Sequence, residues 1–191
     1  MRPDFENIAL AEVHDAVWGL LAEGVAQAAS PFHTPALATS SRHGTDLRTV
    51  VLRHADPASR TVSCHTDWRS PKRRHVQHDP RVAWLIYDRQ RKLQVRLRGR
   101  ASLHHLDDRA RERWSESTTR SRVCYSAPLA PGTPVREPAA AGTDPDGGWQ
   151  RFTVLFCRLQ RIDFLYLSAG RHRRAILTWE QERWDAGWVA P

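Results

Sequence analysis

The chain has 191 residues, of which 40% are hydrophobic and 26% charged, and it carries a formal charge of +8 at pH 7. This composition excludes disorder and collagen-like structure. It fits one globular domain spanning 1–191, long enough to bury roughly 70% of the surface its unfolded form exposes. The positive balance asks for an anionic partner: nucleic acid, a membrane surface or a phosphorylated small molecule.

Apolar residues at 10, 13, 17, 20, 21, 25 and 28 follow helical spacing and predict an amphipathic helix over Ile8 to Ala28, with Asn7 as its N-cap. Five short runs rich in Val, Leu, Thr and aromatics then read as strands: Ala36 to Ser41, Leu47 to His54, Thr61 to Thr66, Arg81 to Asp88 and Lys92 to Leu103. The fifth alternates most cleanly, with Leu93, Val95, Leu97, Ala101 and Leu103 set against Gln94, Arg96, Arg98, Arg100 and Ser102. Ser70-Pro71 predicts a helix start, and Asp79-Pro80 stops that helix about two turns later. A second helix is expected near Asp107 to Ser117, with two carboxylates in its first turn. The stretch from Ser126 to Gly148 is rich in Pro and Gly and has no hydrophobic period, so it reads as a long loop or lid. Phe152 to Leu159 and Arg161 to Ser168 are predicted strands, and Ala175 to Trp179 with Trp184 to Val189 a closing hairpin. Many strands with few helices predict a mainly β fold, a barrel or sandwich with peripheral helices; a Rossmann domain is disfavoured because there is no GxGxxG.

Three cysteines, Cys64, Cys124 and Cys157, lie far apart without a CxxC pair, which suits a reducing cytoplasm. Glu6, Glu12, His14 and Asp15 break up the N-terminal apolar residues, so no signal peptide is expected, and the apolar run Val82 to Tyr87 is too short to span a bilayer. His75, His78, His104 and His105 lack companion ligands at metal spacing, so no metal site is expected. The eight tryptophans are read as core or interface residues.

The segment Thr66-Asp67-Trp68-Arg69-Ser70-Pro71-Lys72 carries the clearest chemistry. A helix start offers free backbone N–H groups, and Arg69, Ser70 and Lys72 add side-chain donors there, which together suit a phosphate. The bland alternative is a capped surface helix with solvated cations. Arg48-Thr49-Val50-Val51-Leu52-Arg53 places a guanidinium at each end of an apolar strand. Parity sends the two to opposite faces unless the strand bulges or ends near Arg53.

Taken in order, R-x-V-V-L-R at 48–53, H-T-D-W-R-S-P-K at 65–72, D-P-R-V at 79–82 and L-Q-V-R-L-R-G-R-A at 93–101 resemble the pyridoxamine 5′-phosphate oxidase family of FMN-binding split β-barrels. The tail, with Arg161-Ile162-Asp163-Phe164, Arg171-His172-Arg173-Arg174 and Trp188-Val189-Ala190-Pro191, resembles that family's C-terminal segment more loosely. The resemblance implies an FMN cofactor and a homodimer whose two subunits build the flavin site. It places Arg48 and Arg53 at the ends of the flavin strand, Val50 and Val51 beside the flavin, Thr66 and Lys72 at the phosphate, and Gln94 on the isoalloxazine. Thr49, His65 and Ser70 fall within the same motifs. The chain also departs from the family pattern. Pro71 stands where a second cation is expected, with Arg69 as the substitute, and Leu165 stands where a Trp is expected. Arg171, His172, Arg173 and Arg174 fit the R-x-H-x-R substrate motif only after a shift or with loss of its His.

The resemblance thus implies an FMN-dependent oxidoreductase that takes a hydride from a small, anionic substrate. The alternatives are a flavin reductase or other NAD(P)H-coupled FMN protein, and a non-catalytic FMN-binding protein. A nucleic-acid-binding barrel rests only on the charge and Lys72-Arg73-Arg74, and lacks aromatics interleaved with the cations. Neither nucleic acid nor membrane is therefore expected as a partner.

Overall fold

Helical periodicity near the N-terminus becomes a 3-10 turn, Leu10–Glu12, running into helix α1, Val13–Ala26, in the computed structural model, which describes residues 4–191. Asn7 is not the cap. Its side-chain amide donates to Asp4 at 2.8 Å, and the Glu12 carboxylate takes the Ala9 N–H at 2.8 Å instead. Val13, Val17, Leu20 and Leu21 bury the inner stripe of α1. Gly24 lets the helix close on Phe32, because a Cβ there would lie 2.6 Å from the Phe32 backbone.

The strands are β1 (Ala36–Ser41), β2 (Gly44–Thr49), β3 (Leu52–Asp56), β4 (Thr61–Asp67), β5 (Arg81–Asp88), β6 (Leu93–His104), β7 (Phe152–Tyr166), β8 (Arg173–Glu180) and β9 (Arg183–Val189). They form one antiparallel sheet in the order β2-β1-β5-β6-β7-β4-β3, with β8 added to β7 and β9 to β8. Leu37, Trp84, Val95, Leu97, Leu155, Leu159, Ile162 and Phe164 fill the core. This is a mainly β fold with peripheral helices, as expected.

Two strand predictions need correction. Residues 47–54 are not one strand: β2 ends at Thr49, and the chain resumes as β3 at Leu52 to pair with β4 rather than β1. Residues 152–168 are not two strands but the single β7. Its first half pairs with β4, its second half with β8, and its length with β6. The polar pair Gln160-Arg161, which looks like a break in the sequence, is a bulge: Arg98 faces Arg161, and Gly99 faces Leu159. Only glycine fits at 99, because a Cβ would meet the Arg158 carbonyl oxygen at 2.2 Å.

Helix α2 (Pro71–His78) follows β4, and α3 (Asp108–Glu116) and α4 (Thr119–Val123) follow β6. Asp107 is the N-cap of α3, its carboxylate accepting the Ala110 N–H at 2.8 Å. A second apolar cluster of Ala110, Phe152, Val154 and Phe156, with Trp114, Tyr125 and Trp149 packed on it, holds this helical layer against the sheet. Among the described residues no helix is long and apolar enough to cross a membrane.

Candidate flavin phosphate cradle and substrate cleft

Helix α2 begins where the sequence predicts, with Ser70 as N-cap and Pro71 in the first turn. Ser70 makes no capping bond. Its buried hydroxyl instead meets Thr66 Oγ1 at 3.1 Å, and Lys72 Nζ donates to Thr66 Oγ1 at 2.9 Å and to Ser70 Oγ at 3.4 Å. An ammonium held by two hydroxyls at an uncapped helix start presents donors and positive charge with no carboxylate in direct contact with it. Burial lowers the Lys72 pKa below the ordinary lysine value. A desolvated cation of this kind gains most from an anionic ligand. These residues fit a phosphate monoester.

Arg48 lies on the same side. Its guanidinium donates to Thr39 Oγ1 at 2.7 Å and to the Leu37 carbonyl at 3.2 Å, and pairs with Asp46. The charge of Arg48 adds to the depression of the Lys72 pKa, which places the two cations within electrostatic reach of each other. Arg69 behaves differently from expectation. Asp67 takes its Nε at 3.0 Å and one terminal nitrogen at 2.7 Å, and the carbonyls of Ala127 and Pro128 take the remainder at 3.0 Å. Its donors are spent on anchoring the Pro-rich loop, a role also served by Arg151, which donates to the Ala127 carbonyl at 2.7 Å. Arg69, expected to stand in for the cation missing at Pro71, is thus held by Asp67 and the loop carbonyls.

A cleft of ≈ 360 Å³, lined by Val51, Arg53, His65, Ser121, Cys124 and Tyr125 among others, opens on the other face of β4, since His65 and Thr66 are successive strand residues. The break between β2 and β3 brings Val51 and Arg53 to it. Arg53 reaches Ser121 Oγ at 3.4 Å. His65 packs edge-on to Phe152 at 4.8 Å, and both its ring nitrogens are buried without a hydrogen-bond partner. Burial, reinforced by the charges of Arg53 and Arg113, pushes its pKa down to about 3, so it is neutral at ordinary pH. Val50 is buried and Thr49 exposed. Tyr125 and Ser121 carry no local sequence signal that marks them as cleft residues.

Gln94 is not brought to the cradle. It sits in a cross-strand row with Tyr87, Leu165 and Arg174. On β7 this row crosses at Leu165, whereas Thr66 faces Thr153. Twelve positions of strand, roughly 40 Å if straight, separate them. The tail cations are also dispersed. Arg171 and His172 precede β8 and are exposed, so the strand alternation expected for all four begins only at Arg173. Arg173 donates to the Glu6 carbonyl at 2.6 Å and lies over Trp188 at 4.6 Å. Arg174 clasps Asp163 at 3.1 and 3.0 Å, sharing that buried carboxylate with Arg96.

The antiparallel sheet with peripheral helices is the split-barrel fold of FMN-binding neighbours. Residues 15–105 match the family model described as pyridoxamine 5′-phosphate oxidase, FMN-binding domain. This part of the chain is similar to the FMN-binding domain of that family. A pyridoxamine 5′-phosphate oxidase-related, FMN-binding protein from Nostoc punctiforme has a similar fold, with a TM-score of 0.77 at 23% identity over 96% of this chain and 100% of that one. PhzG from Burkholderia lata, solved with tetrahydrophenazine-1-carboxylic acid, aligns with a TM-score of 0.73 at 18% identity, covering 100% of this chain and 98% of that one. No curated protein matches the chain.

Proposed function

We propose that the protein is a homodimeric, FMN-dependent oxidoreductase that accepts a hydride from a small anionic substrate. The observation that carries this reading is the uncapped start of α2, where Lys72, Thr66 and Ser70 gather donors suited to a phosphate. FMN held there would supply two-electron redox chemistry.

The protein's part is binding and orientation. Lys72, Arg48 and the first turn of α2 hold the phosphate; Val50 and Val51 pack beside the ring system. Arg53 grips the acidic group of the substrate, and its fork suits a carboxylate or a phosphate. Neutral His65 lines the cleft and packs against Phe152, shaping the apolar wall on which the substrate body rests. The ring carboxylate bound by PhzG is a ligand of this chemical type.

Gln94 serves the flavin of a second copy. Its row lies on a sheet face that also exposes Leu47 (60%), Leu85 (38%) and Tyr87 (53%), an apolar surface suited to self-association. The three free thiols, two of them buried, support a reducing compartment such as the cytoplasm.

The test is an absorbance spectrum of the flavin-loaded protein before and after anaerobic addition of candidate reductants. Bleaching by a small organic acid or phosphate, with Arg53→Ala raising KM and leaving flavin content unchanged, is the expected result. Bleaching by NAD(P)H alone favours a flavin reductase, and no bleaching by any reductant favours a flavin carrier.

A further inference from the structure

The α3 sequence sets Arg109, Glu112 and Arg113 at i, i+3 and i+4, which is one helix face. That face roofs the sheet where His54, Ser63, Phe156 and Ser102 form one row across β3, β4, β7 and β6, with Thr61 and Arg158 in a second row. Between roof and floor lies a concavity of ≈ 470 Å³, larger than the flavin-side cleft and within the usual range of small-molecule sites.

Three observations give this space a ligand chemistry. The first is charge. Arg113 is neutralised by Glu116 at 2.7 Å and Glu112 at 3.4 Å, whereas Arg109 and Arg158 have no carboxylate partner among the described residues. The second is unmet polarity. Arg113, which lines the concavity, has a buried Nε with no hydrogen-bond partner. Buried polar groups are rarely left unpaired without a ligand or water to meet them. The third is a flat apolar floor. The Phe156 ring is met edge-on by His104 at 5.3 Å and by His54 at 6.2 Å, with the Arg109 guanidinium over it at 5.9 Å.

We propose that this concavity is a second ligand site, separate from the flavin cleft, for a small organic anion with a planar body. Arg109 and Arg158 bind its acidic group, a phosphate or a carboxylate, and its body lies along Phe156. Arg113 is the wall between the two sites, since its charge acts on His54 on one side and on His65 on the other.

Titration calorimetry of the FMN-loaded protein with phenyl phosphate and with benzoate tests this. At least one of the two binds, with affinity reduced tenfold or more in Arg109→Ala/Arg158→Ala and preserved in Arg109→Lys/Arg158→Lys and in Arg53→Ala. Flavin absorbance, read in the wild type and in the Arg109/Arg158 variants, stays constant. Binding of phenyl phosphate alone assigns the site to a phosphate ester, and binding of benzoate alone to a carboxylate. The proposal is overturned if neither probe binds the wild type, or if the affinity depends on Arg53 and not on Arg109 and Arg158.

Discussion

Lys72 Nζ lies 2.9 Å from Thr66 Oγ1, so a half-buried cation is held by a hydroxyl rather than by a carboxylate. The arrangement costs the free protein some desolvation and is offset when an anion binds. Truncating Lys72 to Ala removes a charge-assisted hydrogen bond to the phosphate, and FMN affinity falls by about 1.5–3 kcal/mol. Arg48→Ala acts in the same direction. Equilibrium titration monitored by flavin fluorescence gives both numbers.

The lowered Lys72 pKa sets a pH dependence. Only the ammonium pairs with phosphate, so FMN binding takes up a proton once pH rises above the depressed value. Affinity therefore declines with rising pH before the ordinary lysine range is reached. In Lys72→Met this alkaline limb disappears, and a limb of unchanged position in that variant would assign the effect to another group.

His65 offers a stability test. Its folded pKa of about 3 lies below the ordinary 6.5, so its neutral form is fully tolerated above pH 6.5, and stability is lost as pH falls from there toward 3. Two unpartnered nitrogens also burden the flavin-free fold. His65→Leu then stabilises the flavin-free protein by about 1–2 kcal/mol, roughly 3–8 °C in Tm, and flattens the acid limb. The same variant weakens substrate binding. A lower Tm in His65→Leu would mean that the imidazole supports the fold rather than the site.

Self-association is tested on the exposed sheet face. Leu47→Asp/Leu85→Asp yields a monomer by analytical ultracentrifugation and weakens FMN binding, although the cradle itself is untouched. A monomer that binds FMN as tightly as wild type would show that one chain suffices and that Gln94 does not contact the flavin.

The tail cations divide by position. Arg174 neutralises a carboxylate whose side chain is only 8% exposed, so Arg174→Ala lowers Tm, whereas exposed Arg171 and His172 can be changed to Ala with no effect on Tm. If Arg171 and His172 contact substrate, their double variant raises KM at constant flavin content. Differential scanning fluorimetry beside steady-state kinetics separates the two effects.

Local chemistry was the most legible part of this chain. Ser70-Pro71 and Asp107-Asp108 mark helix starts because Pro at the first turn and acidic residues near the N-terminus are local signals, and β6 declares itself by strict alternation. Features set by pairing partners were not legible. The change of partner between β2 and β3 leaves no mark in Arg48 to Arg53, and Gln160-Arg161 reads as a turn because a bulge and a break look alike in one dimension. Arg69 seemed free for a phosphate because its partners include carbonyls 58 and 59 residues away. The pocket under α3 appears only when four strands are in register.

The central claim is that α2 and Lys72 address a terminal phosphate. Flavin-free protein titrated in parallel with FMN and riboflavin tests it most directly, because the two ligands differ only in that group. Loss of a clamped dianion costs about 3 kcal/mol or more, so FMN is expected to bind at least about a hundredfold more tightly, with most of that preference lost in Lys72→Ala. Equal affinities for the two flavins in the wild-type protein would contradict the account.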